Sequence, residues 1–60
     1  MEQLLTTQEV AELLQISEQT LHQWRYRNTG PKSIRVGRHV RYRTNDLEDW
    51  LDEQAQKQTT

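Results

Sequence analysis

The apolar residues of this 60-residue chain change their repeat twice, and that change limits the fold more than any other feature. Val10, Leu13 and Leu14 recur at i, i+3 and i+4, and Leu21 and Trp24 resume a helical repeat after a break. From Ile34 the repeat becomes two, placing Ile34, Val36, Val40 and Tyr42 on one side and Arg35, Arg41 and Arg43 on the other. At Leu47, Trp50 and Leu51 the helical spacing returns. The order implied is helix, helix, β-hairpin, helix.

Local signals place the boundaries. Thr6 precedes Glu9 by three residues, the capping-box spacing that satisfies two orphan N–H groups at a helix start. Ser17 suits the N-cap of the second helix, with Ile16 before it packing back on Leu21. Asn28-Thr29-Gly30-Pro31 ends that helix, Gly30 being suited to a left-handed position and Pro31 unable to continue. A turn of three residues, Gly37-Arg38-His39, is expected to put Arg38 and His39 at the hairpin tip. Thr44 or Asn45 caps the third helix, whose Asp46, Glu48, Asp49, Asp52 and Glu53 load its exposed side. One domain over 1–53 is expected, followed by a frayed tail over 54–60 where apolar periodicity is lost.

Composition excludes several classes. A chain this short has a small core and no room for an enclosed substrate cavity, although its 32% apolar residues are too regularly spaced for disorder. No Cys is present, which removes disulfides and thiolate metal sites and fits a reducing compartment. No run is long and apolar enough to span a bilayer, and Met1 to Leu5 lacks the features of a leader, so a cytoplasmic location is expected. His22 and His39 have no further ligand at metal-binding spacing. There is also no nucleophile beside a base, no glycine-rich phosphate loop and no carboxylate pair that must be buried. Neither enzymatic activity nor a cofactor or metal is expected.

Charge is segregated. Seven of the eight Lys and Arg lie between Arg25 and Arg43, and no Asp or Glu occurs from Gln19 to Asn45. That segment carries +7, and with one Lys and nine acids elsewhere the remainder carries −8, a separation hidden in the formal net charge of −1. Such a stretch is an electrostatic footprint for a polyanion, whereas the acidic third helix cannot face phosphate.

The run Leu4–Trp24, with Arg35–Tyr42 and Asp46–Leu51, resembles the excisionase and AlpA-like branch of the MerR-type winged-helix superfamily. The likeness covers most of the chain and implies a mostly α fold with a β-hairpin, the winged helix-turn-helix. It also implies double-stranded DNA as partner, the second helix entering the major groove and the hairpin wing lying on the minor groove or backbone. Gln15 stands where that family often carries Gly, so a left-handed residue there costs about 1 kcal/mol unless the turn takes another path.

Carried onto this chain, the recognition helix comprises Ser17, Gln19, Thr20, His22, Gln23, Arg25, Tyr26 and Arg27. Gln19 and Gln23 can pair with adenine edges, Arg25 and Arg27 are expected on phosphates, and Tyr26 has a hydroxyl able to reach one. On the wing, Arg38 and His39 suit a minor groove, with Arg35, Arg41 and Arg43 flanking. Each choice has a plainer alternative: a solvated helix face, or an exposed strand edge protected by charge. Trp24, Trp50 and Tyr42 sit at periodic apolar positions and are expected in the core.

Excisionases of this type bind attachment-site DNA cooperatively, bend it and direct a site-specific integrase. Self-association on DNA and an integrase partner are therefore expectations of the resemblance, with no membrane and no small-molecule effector. A small transcriptional regulator is the alternative. A module docking its basic hairpin on an acidic protein, or on RNA, is the more remote one.

Overall fold

In a computed structural model, which describes residues 3–58, six elements follow one another: β1 (Leu4–Thr6), α1 (Thr7–Leu14), α2 (Glu18–Tyr26), β2 (Ile34–Val36), β3 (His39–Arg43) and α3 (Thr44–Gln58). Three helices and a three-stranded antiparallel sheet of order β1-β3-β2 make a small winged helix-turn-helix. The core is Val10, Ala11, Leu21, Tyr42 and Leu47, with Leu5, Leu14, Ile16, Trp24, Val40 and Trp50 packed around it. α1 lies at the centre, in contact with α2, β1 and β3, while α3 packs on β3.

α1 starts as its sequence dictates. Glu9 N donates to Thr6 Oγ1 at 3.0 Å, and Thr6 N donates to Glu9 Oε1 at 2.9 Å. It ends in a Schellman motif, with Ile16 N on Ala11 O at 3.0 Å and Gln15 N on Glu12 O at 3.2 Å. Gln15 is left-handed (φ 58°, ψ 44°), so the chain follows the path for which glycine is better suited. Residues 15–17 make the break before α2.

Four expectations are corrected. A third strand, β1, precedes α1 and pairs Leu4 with Arg43 and Leu5 with Tyr42. Gly30 is left-handed as expected, but it is Asn28, two residues earlier and at φ 58°, that closes α2, with Thr29 N reaching back to Trp24 O at 2.8 Å. Gly30, at φ 76°, has a different task, since a Cβ there would lie 2.6 Å from Trp24 Cε3. The Trp24 ring is in turn tilted at 47° against that of Trp50, with centroids 5.6 Å apart. Finally, α3 begins at Thr44 itself and continues to Gln58 instead of fraying from Gln54; Gln, Ala and Lys are good helix formers and need no buried stripe to extend an existing helix. Residues 59 and 60 of the expected tail lie outside the described residues.

The fourth correction concerns the hairpin. Val36 pairs with His39, so the loop has two residues, Gly37-Arg38, with a positive φ only at Gly37 as a type II′ turn requires. His39 therefore belongs to β3 and not to the tip. Because directly opposed residues share a face, this one-residue difference exchanges the sides of β2. Arg35 joins Val40, Tyr42 and Leu5 on the helix-facing side. Ile34 and Val36 join Leu4, Thr6, His39, Arg41 and Arg43 on the outer side. Accordingly Leu4, Ile34 and Val36 are exposed, and on α3 so is Leu51, leaving Leu47 buried and Trp50 half-buried.

Candidate nucleic-acid interface

The presentation of α2 follows from its own nine residues. Ser17 caps it: Thr20 N donates to Ser17 Oγ at 3.2 Å, and the two hydroxyls are 2.9 Å apart. Leu21 is completely buried and Trp24 half-buried, and these two fix which side faces inward. Gln19, His22, Gln23 and Tyr26, at i, i+3, i+4 and i+7, then share the solvent side as the sequence implies. Tyr26 is 91% exposed, an aromatic ring displayed rather than packed. Ser17 and Thr20 are engaged with one another at the cap, Thr20 being half-buried.

Arg25 and Arg27 differ. Arg27 is exposed, whereas Arg25 is half-buried and its Nη1 lies 3.2 Å from Nδ1 of His22. The Arg25 guanidinium also bears on the core. Burial pushes the Tyr42 phenol above its ordinary 10.0, and Arg25 pulls it partly back. The Tyr42 hydroxyl has no hydrogen-bond partner among the described residues.

Beside the end of α2 the chain from Asn28 to Ser33 folds back, leaving an open groove of about 470 Å³ between Arg25, Tyr26, Thr29 and Lys32. Lys32 is not among the residues expected from the sequence, although its place in the acid-free stretch is a signal that includes it. Across the sheet, Arg38 is exposed in the turn, His39 and Arg43 are exposed on the outer side, and Arg35 is exposed on the opposite one. Arg41, in the central strand, is half-buried and donates from Nη1 to Val40 O at 2.8 Å. The wing cations thus divide between two faces and a tip. The apolar patch of Leu4, Ile34 and Val36 beside the outer cations was not legible from strand periodicity, because its existence depends on the loop length.

A helix-turn-helix domain model matches residues 4–55, from the start of β1 to well into α3. The chain belongs to the helix-turn-helix domain family. That family includes excisionase and AlpA-like DNA-binding proteins, and the function carried by this helix-turn-helix chain is DNA binding. No match is found among curated proteins or among solved structures. Among the described residues no helix is long and apolar enough to cross a membrane, and no group of three His, Cys, Asp or Glu could hold a metal ion.

Proposed function

We propose that this helix-turn-helix protein, as a member of the MerR-type superfamily, is an excisionase-type architectural DNA binder without catalysis of its own. α2 enters the major groove, where Gln19, His22 and Gln23 meet base edges and Arg27 meets phosphate. Arg38 at the wing tip reaches the adjacent minor groove, and Arg35, Arg41 and Arg43 supply the surrounding positive field, with His39 beside them. The observation that carries this reading is the exposed stripe Gln19-His22-Gln23-Tyr26, polar and free of Asp, Glu, Lys and Arg, in a segment that holds no acid.

Neutralising about five phosphates gives a salt slope near −4.5, at about −0.9 per phosphate, so a single copy binds weakly at physiological salt. Binding by adjacent copies supplies the difference. The exposed Leu51 among Glu48 and Asp52 on α3 complements the outer sheet side of another copy, where Leu4, Ile34 and Val36 lie beside Arg41 and Arg43. Such a contact is head-to-tail and does not close. It suits a row of copies that bends attachment-site DNA for an integrase.

Selection of bound duplexes from a random pool tests the reading. Direct repeats about one helical turn apart are expected. An inverted repeat bound by a closed two-fold dimer would instead mark a transcriptional regulator, and no enrichment would remove sequence-specific binding.

A further inference from the structure

Two charged or titratable side chains of α2 touch each other, and the contact has a chemical direction. An arginine guanidinium carries only donors, so in the 3.2 Å contact between Arg25 Nη1 and His22 Nδ1 the imidazole nitrogen must be the acceptor. An accepting Nδ1 has no proton. In the neutral ring the proton is then on Nε2, and the outward edge of His22 is a single N–H donor. Arg25 is half-buried and its charge acts on the Tyr42 phenol, whereas His22 is exposed beside it. The spacing i, i+3 on one helix makes this contact local and independent of the wing.

The geometry points to His22 as a base-reading donor whose ring is held by Arg25, which makes Arg25 a positioning residue rather than a phosphate contact. This rests on the DNA-binding reading above. The partner of His22 Nε2–H is a major-groove acceptor, that is guanine N7 or O6, adenine N7 or thymine O4, and never the cytosine N4 amino group. The role also separates Arg25 from Arg27, which has no such contact and remains on the solvent side.

The test compares duplex selections and salt slopes for the full chain and five variants. Wild-type protein must first select a motif; if it selects none, the DNA-reading assignment fails and not this one. His22→Ala is expected to flatten preference at one base pair by about tenfold, with the salt slope unchanged. Arg25→Met is expected to flatten the same base pair, and the double variant to lose no more than either alone, since both remove one interaction. His22→Asn, which keeps an acceptor for Arg25 but loses the outward donor, behaves as His22→Ala, while His22→Gln retains part of the preference. Circular dichroism confirms that each variant is folded. An Arg25→Met protein that binds all sequences less well, with a slope smaller by about one and the His22 base pair still preferred, would overturn the proposal and return Arg25 to the phosphates.

Discussion

α2 and the sheet share one acid-free stretch of sequence, yet they arrive at their exposed faces by different routes. On α2 the choice of face is local: Leu21 and Trp24 turn inward, and Gln19, His22, Gln23 and Tyr26 are left outside. On the hairpin it depends on the loop, because a two-residue Gly37-Arg38 turn sends Ile34 and Val36 to the outer side where a three-residue turn would have sent them to the core. The chemistry divides likewise. α2 displays amides and an imidazole suited to base edges, whereas the sheet displays guanidinium groups suited to phosphate. In the function proposed above, one region specifies and the other holds.

That comparison can be broken or sharpened in order of effect. Leu21→Ala, at a fully buried side chain that fixes the α2 face, is expected to cost about 3 kcal/mol or more and to leave the domain largely unfolded, while Leu51→Ala, at an exposed site, costs less than about 1 kcal/mol. Chemical denaturation checks both. The two glycines come next. Gly30→Ala adds a Cβ against the Trp24 ring at a positive φ and is expected to cost about 2 kcal/mol, whereas Gly37→Ala meets nothing within 4 Å and loses only about 1 kcal/mol to backbone strain. Equal losses would mean that Gly30 is a turn residue like Gly37 and not the floor under Trp24.

Smaller effects follow. Gln15→Gly relieves a left-handed residue and is expected to stabilise by about 1 kcal/mol, read as a rise in the denaturation midpoint. Tyr42→Phe removes a buried hydroxyl without a partner and is expected to change stability by less than about 1 kcal/mol, towards stabilisation. Its signature is in alkali. Since burial raises the Tyr42 phenol above 10.0, the unfolded chain loses that proton first, and wild-type stability falls as pH rises past 10.0; the Phe variant lacks this component of the fall.

What was legible in the sequence follows the same division. The Thr6–Glu9 capping box, the Ser17 cap and the outward stripe of α2 are set by residues within one turn of each other, and the structure has all three. β1 was not legible, because three residues carry no period and Leu5 meets its partner Tyr42 only across most of the chain. The hairpin register is not fixed by the sequence: Gly at the first position of a two-residue loop is a type II′ signal, yet Gly37 fits a three-residue loop as well. Asn28 and Gly30 both suit a left-handed position, and sequence does not say which closes α2; at 30 the positive φ and the closeness of the Trp24 ring together require glycine. The contact of Arg25 with His22 lies at a spacing the sequence displays, but its partner choice depends on where the Arg25 side chain packs.

The division between specifying and holding is tested most directly by measuring sequence selection and salt slope together for Gln23→Ala on α2 and Arg38→Ala at the wing tip. Gln23→Ala is expected to relax preference at one base pair with the slope unchanged, and Arg38→Ala to weaken binding to all duplexes while reducing the slope by about one. Two variants that change preference and slope in the same way would contradict the account.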